Sequence, residues 1–216
     1  MRRVLCFGDS NTWGYATVER PDGRYREDER WTGILRVRLG SDWTIIEEGL
    51  PARTTICDDP IEGVDKNGQP YLLPCLLSHR PLDFVVLFLG TNNLKARFGM
   101  SGWEIAESAG TLSGIISSSR TGVGGKAPTV VLVAPPPIRQ DLSGRFKRVF
   151  SGGYEKSLEF SAAYAAVAEE MELEYIDAAR SMTSSPFDGI HFDPPDHKVF
   201  GEALAAHLLR SAGLSA

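Results

Sequence analysis

The chain has 216 residues, 42% of them hydrophobic and 24% charged, a globular balance that suits one α/β domain over residues 1–216. A formal net charge of −5 excludes the basic surface that nucleic-acid binding needs, and is too small to keep a chain disordered. No segment approaches the roughly 20 apolar residues of a membrane span, and the first apolar run starts beside Met1, so no signal peptide is expected.

Arg3-Val4-Leu5-Cys6-Phe7 reads as a buried strand stopped by Gly8-Asp9-Ser10. Residues 14–30 are polar, with Pro21-Asp22-Gly23 as a turn, and form a surface loop. A helix is expected over 31–39, with Trp31, Ile34, Leu35 and Arg38 at helical spacing and Gly40 as its stop. Residues 43–46 make a second strand, 49–70 a loop and 72–79 a helical turn or two. Residues 83–89 are the clearest strand, and their unbroken apolar run implies burial on both faces, as in a parallel sheet. A helix over 103–118, with Trp103, Ile105, Ala106 and Ala109 as apolar positions, leads through a Gly-rich stretch to a strand over 129–133, ended by Pro135-Pro136-Pro137. One long helix over 154–171, a short strand over 174–177 and a last helix over 197–209, entered through Pro194-Pro195-Asp196, complete the chain.

Strand and helix alternate about five times, which predicts a parallel α/β sandwich with right-handed crossovers. Functional residues of such sheets sit beyond the carboxyl ends of the strands. Here those are the segments after residues 7, 48, 89 and 177. The cysteines Cys6, Cys57 and Cys75 are odd in number and form no Cys-x-x-Cys pair, so free or buried thiols in a reducing cytoplasm are expected.

Ser10 lies at a sharp strand-to-helix turn, a place that exposes a hydroxyl at the sheet edge; the same tripeptide also serves as an ordinary helix start with Asp9 or Ser10 as cap. A serine nucleophile needs a base. Of the four histidines, His207 belongs to the last helix, His79 suits a helix C-terminus and His197 is expected to be solvated in a first helical turn. His191 differs, because it sits in the loop Phe187-Asp188-Gly189-Ile190-His191-Phe192. Asp188 can fold back to orient its ring, the arrangement of a Ser-His-Asp triad; taken alone, the segment is more simply a turn aspartate beside a solvated histidine. Asn92, after the clearest strand, can donate from its side-chain amide to an oxyanion, or merely make the turn, and the amides of Ser10 and Ala52 are the other candidate donors.

Taken together, Gly8-Asp9-Ser10, Glu48-Gly49-Leu50-Pro51-Ala52, Gly90-Thr91-Asn92 and Asp188-Gly189-Ile190-His191 resemble the SGNH (GDSL-type) hydrolase family over essentially the whole chain. Ala52-Arg53-Thr54-Thr55, Pro135-Pro136-Pro137 and His191-Phe192 are most similar to its bacterial arylesterase and acyltransferase members. The resemblance implies a flavodoxin-like three-layer αβα sandwich around a five-stranded parallel sheet. It also implies a triad of Ser10, Asp188 and His191, and an oxyanion hole from Ser10, Ala52 and Asn92. The substrates would be short-chain or aryl esters, with acyltransferase or perhydrolase side activity; no metal or cofactor is implied, and a homo-oligomer is. Asp9, Asn11, Trp13, Tyr15, Thr91, Lys95, Phe150 and Ile190 are the expected substrate-side residues, although Trp13, Phe150 and Ile190 suit plain packing as well. Asp9 is expected to steady the nucleophile loop. Three positions depart from the family: Asn11 for Leu, which would make the pocket more polar, Asn93 for Asp, and Ala52 for Gly. The competing functions are a carbohydrate O-acetyl esterase on the same triad and a non-catalytic binding module on the same fold. The Pro135–Pro137 segment and the loop over 14–30 are expected to wall the site or mediate subunit contacts.

Overall fold

Each apolar run becomes a strand: β1 Arg2–Gly8, β2 Trp43–Gly49, β3 Phe84–Phe88, β4 Thr129–Ala134 and β5 Glu174–Asp177. In the computed structural model, which describes residues 1–20 and 22–214, they form one parallel sheet in the order β2-β1-β3-β4-β5. The runs are apolar at consecutive positions because helices cover both faces. In β1, Leu5 and Phe7 join one core while Val4 and Cys6 join the other; β3 divides Val85 and Leu87 from Phe84, Val86 and Phe88 in the same way.

The helices are α1 Ser10–Trp13, α2 Trp31–Leu39, α3 Gly68–His79, α4 Gly102–Ser118, α5 Gly144–Val149, α6 Gly153–Ser157, α7 Phe160–Glu170 and α8 Pro194–Ser211. On one face α3, α4 and α7 bury Leu76, Ile105, Leu112, Phe160 and Tyr164; on the other α2 and α8 bury Trp31, Leu35, Phe200 and Leu204. Each such side chain contributes about 1.5–3 kcal/mol by leaving water. The result is the parallel α/β sandwich expected from the alternation, in the three-layer αβα form that the resemblance implies.

Several boundaries differ from expectation for local reasons. Helix α3 starts at Gly68, because the Asn67 side chain accepts from the Gln69 amide at 3.0 Å and caps the turn. Asn67-Gly68 reads as a breaker but supplies the cap and first residue of the helix, and Pro70 falls in its first turn, where amides have no helical acceptor. The single helix expected over 154–171 is two, α6 and α7. At the end of α6, the Ser157 hydroxyl donates to the Tyr154 carbonyl at 2.6 Å and accepts from the Ile138 amide at 3.2 Å, which ties the break to the segment after β4. Helices α1 and α5 add to the expected set. His197 is not solvated: it is fully buried, with its ring edge-on to Tyr25 and Phe192. Burial, then the neighbouring charges of His191 and Arg30, push its pKa down to about 3, so the ring is neutral. Trp103 is half exposed and lies outside the apolar stripe of α4. All three cysteines are free thiols. Among the described residues no helix is long and apolar enough to cross a membrane.

The strand order places the site. The chain leaves β1 toward β2 on one side and returns through β3 on the other. The connections after β1 and β3 therefore diverge, and they open a crevice at the carboxyl edge between the two strands.

Candidate active site

Ser10 stands at the mouth of that crevice on a one-turn helix pinned at both ends. Asp9 caps α1: its Oδ1 accepts from the Asn11 amide at 2.9 Å, and its carbonyl accepts from Trp13 at 2.9 Å. Gly14, with φ of 89°, turns the chain out and returns its amide to the Ser10 carbonyl at 2.8 Å. The end of β2 packs directly on this turn at Gly49, where a Cβ would stand 2.3 Å from the Trp13 nitrogen, so only glycine fits.

The loop after β5 brings the base. Nε2 of His191 is 2.9 Å from Oγ of Ser10, and its Nδ1 is 2.7 Å from Oδ2 of Asp188. The other carboxylate oxygen, Oδ1, accepts from the amides of Ile190 at 2.8 Å and His191 at 2.9 Å. Burial raises the Asp188 pKa, but the hydrogen bond and charge of His191 and the two amides outweigh it and hold the carboxyl below its ordinary value. An ionised Asp188 favours the tautomer with hydrogen on Nδ1, which leaves Nε2 free to accept from Ser10. Tyr15 stacks on the imidazole with ring centres 4.1 Å apart, and Phe146 meets it edge-on at 6.2 Å. The loop over 14–30 thus reaches the site through Tyr15, held there by an antiparallel bridge to Arg24.

Ser10, Ala52 and Asn92 line the same pocket. Among the described residues the amides of Ser10 and Ala52 have no acceptor. Ala52 adopts φ of 67°, a left-handed conformation that costs a residue with a Cβ about 1–2 kcal/mol. Nδ2 of Asn92 donates to Oδ2 of Asp9 at 3.3 Å and keeps its second hydrogen. Arg53, beside Ala52, donates to the carbonyls of Gly8 and Glu48, and so binds the ends of β1 and β2 together under this segment.

Ser10, Tyr15, Ala52, Asn92, Lys95, Phe150, Ile190 and His191 all line one pocket of about 190 Å³. Four expected substrate-side residues do not line it: Asp9, Asn11, Trp13 and Thr91. Asn11 is buried and gives its carbonyl to the Trp31 indole at 3.2 Å, so it does not make the pocket more polar. Trp13 turns outward beneath the Arg24 guanidinium, 4.9 Å from its ring centre. Asn93 binds Thr55, accepting from its amide at 3.0 Å and donating to its hydroxyl at 2.8 Å, and so joins two loops instead of facing substrate. Pro136 and Pro137 line a different depression, with Arg139 and Tyr154.

Pro51, Glu62, Arg145, Phe146 and Val149 also line the pocket, and none of them stood out in the sequence. Phe146, Val149 and Phe150 are spaced three and four apart, a helical stripe that would have revealed α5 and its inward face. Glu62 and Arg145 come from separate segments and pair at 2.7 Å across the rim. Lys95 turns its ammonium to the fully buried Asp59 at 3.2 Å, and Arg97 holds the same carboxylate at 2.6 Å.

Asp9 carries a measurable signature. Burial pushes its pKa up to about 6, against the opposing pull of the Asn11 amide, His191, Arg53 and Asn92. In an unstructured chain the value is about 3.9. Between the two the folded chain holds the extra proton, so stability falls as pH rises through about 6. For Asp9→Asn the variant-minus-wild-type difference in Tm is therefore expected to increase from pH 4 to pH 7. A difference independent of pH, measured by thermal denaturation, would show that Asp9 does not titrate there.

Comparison with known proteins places the chain in a family. The model of the GDSL-like lipase/acylhydrolase family matches residues 6–199. The chain is 41% identical to a carbohydrate acetylesterase from Sinorhizobium meliloti, covering 98% of this chain and 100% of that one with a TM-score of 0.91. It is 42% identical to an aryl esterase from M. smegmatis, covering 98% of this chain and 99% of that one, also with a TM-score of 0.91. A carbohydrate acetylesterase family member from Sinorhizobium meliloti is 32% identical, with 99% and 100% covered and a TM-score of 0.92. No curated protein sequence matches the chain. A match that starts just before the Gly8-Asp9-Ser10 turn and runs past His191, on the same five-stranded sheet, means that the chain belongs to the GDSL-like lipase/acylhydrolase family.

Proposed function

We propose that the protein is a serine esterase that hydrolyses short-chain or aryl carboxylic esters through an acyl-enzyme. The observation that carries this function is the unbroken hydrogen-bond chain Ser10–His191–Asp188, at 2.9 and 2.7 Å, opening into a pocket with unpaired amides at Ser10 and Ala52. Ser10 Oγ attacks the ester carbonyl while Nε2 of His191 takes its proton. Asp188 holds the ring and stabilises the imidazolium. The oxyanion receives the amides of Ser10 and Ala52 and the free Nδ2 hydrogen of Asn92. His191 then returns the proton to the departing alkoxide, and water repeats the sequence in reverse to free the acid.

Pocket size limits the acyl group. About 190 Å³, walled by Phe146, Val149, Phe150 and Ile190, lies below the roughly 300 Å³ at which drug-sized ligand sites begin. In a p-nitrophenyl ester series, kcat/KM is expected to peak between acetate and butyrate and to fall steeply by octanoate. A maximum at octanoate would refute the short-chain assignment. The same apolar wall favours transfer to an alcohol over hydrolysis, which added alcohol in that assay measures as the ratio of new ester to free acid.

The polar rim favours a second substrate class. Glu62 and Arg145 offer hydrogen-bonding groups suited to sugar hydroxyls, beside Tyr15 and Phe146 as apolar platforms. This fits a carbohydrate O-acetyl esterase, the function carried in the name of one of the similar structures. A higher kcat/KM on an acetylated sugar than on p-nitrophenyl acetate would decide for it.

A further inference from the structure

Glu48 on β2 meets Cys75 and His79 on α3 outside the ester pocket, whose lining includes none of the three. One carboxylate oxygen, the thiol sulfur and one imidazole nitrogen all lie within 4.8 Å of one another. Cys75 and His79 are four residues apart on the helix, so they share a face, and Tyr71 lies one turn earlier on the same face. Nε2 of His79 is 2.9 Å from Oε1 of Glu48, while the Tyr71 hydroxyl donates to Oε2 at 3.1 Å.

We propose that Glu48, Cys75 and His79 form a binding site for one zinc ion, independent of the ester site. One thiolate, one imidazole and one carboxylate make a donor set that suits zinc and its cobalt analogue. With bonds of about 2.0–2.3 Å in a tetrahedron, donor atoms stand about 3.3–3.8 Å apart, so the three need only small side-chain movements. The ion replaces the proton shared by His79 and Glu48. The displaced hydrogen returns through solvent to Nδ1 of the ring, the Cys75 thiol releases a proton to solvent, and Tyr71 continues to orient the carboxylate. Thiolate and carboxylate carry two negative charges against the two positive charges of the ion. The Arg53 guanidinium, 5.5 Å from the Tyr71 ring centre, therefore faces a neutral centre and not an isolated cation. Glu48 also lines a surface groove with Arg53, Asn67 and Tyr71, and a solvent water would complete the fourth position. Bound there, the ion clamps α3 to β2 just before the segment that leads to Ala52.

Chelator-treated full-length protein titrated with Co²⁺ tests this directly. One equivalent is expected to give tetrahedral visible bands and a thiolate-to-cobalt charge-transfer band. Cys75→Ser is expected to remove the charge-transfer band. His79→Gln is expected to weaken Zn²⁺ binding, followed by calorimetry, by about tenfold or more, since even a group that only orients a ligand is worth about ten- to a hundredfold. Ser10→Ala is expected to bind Zn²⁺ as wild type does. Absence of the charge-transfer band in the wild type, its persistence in Cys75→Ser, or unaltered Zn²⁺ affinity in His79→Gln overturns the site. So does loss of binding in Ser10→Ala, which would put the ion in the ester pocket. If Cys75→Ser fails to fold, His79→Gln decides, because its partly exposed ring can be replaced without emptying the core.

Discussion

Replacing Ser10 by alanine is expected to lower kcat/KM on p-nitrophenyl acetate by about 10⁴-fold or more, with little change in Tm. Among the described residues the Ser10 hydroxyl bonds only to Nε2 of His191, so removing it breaks no other side-chain contact of the fold. The Ser10 amide survives the substitution, as do Ala52 and Asn92, so a residual rate above that of water is expected from the oxyanion donors alone. A fluorophosphonate probe provides a second readout: it should modify the wild type stoichiometrically at Ser10 and leave the alanine variant untouched. Full turnover by the variant would remove Ser10 from the chemistry. Failure of the probe to label the wild type would instead favour a non-catalytic binding protein on the same fold.

Asn92→Ala is expected to reduce kcat by about 10²–10³-fold while KM changes little, because the lost interaction strengthens only as the carbonyl oxygen becomes charged. The orientation of this amide follows from its neighbour. Oδ2 of Asp9 can accept only from the NH₂ end of Asn92, at 3.3 Å, and this turns the donor end of the amide toward the residue before Ser10. Asp9 is therefore expected to act through Asn92 on the proposed oxyanion donors, besides capping α1. The effects of Asp9→Asn and Asn92→Ala on kcat are accordingly expected to be less than additive in the double variant. Full additivity, or a loss expressed in KM alone, would remove Asn92 from oxyanion stabilisation.

How far the amino-acid order reveals the fold and the site depends on the range of the forces involved. The strands are legible because burial on both faces leaves an unbroken apolar run, as in Phe84–Phe88. Ser10, Asn92 and the Asp188–His191 pair are legible because each follows a strand or its loop and carries a residue type with few structural uses in that combination. The four-residue α1 is not, since its stability comes from Asp9, Gly14 and the packing of Gly49, and it is too short to show periodicity. His197 misleads for a related reason: a polar residue in a first helical turn looks solvated, and only the approach of Tyr25 and Phe192 from other segments buries it. Asn11 and Trp13 adjoin Ser10 in sequence, yet a one-turn helix directs neighbouring side chains to opposite sides. Glu62 and Arg145 stand on segments whose meeting is a property of the whole fold.

The hydrogen bond between Ser10 and His191 joins residues 181 apart in sequence. One partner follows β1, an interior strand paired on both sides; the other hangs on the connection after β5, an edge strand of four partly buried residues. Edge elements of this kind open at lower free energy than the centre of a sheet. Activity should therefore disappear at a lower denaturant concentration than the far-ultraviolet circular dichroism signal of the sheet and helices, and return last on refolding. Coincident transitions would mean that the β5 edge opens only with the rest of the molecule. In that sense the ester site doubles as an internal gauge of chain closure, silent in any species whose last strand has not yet docked.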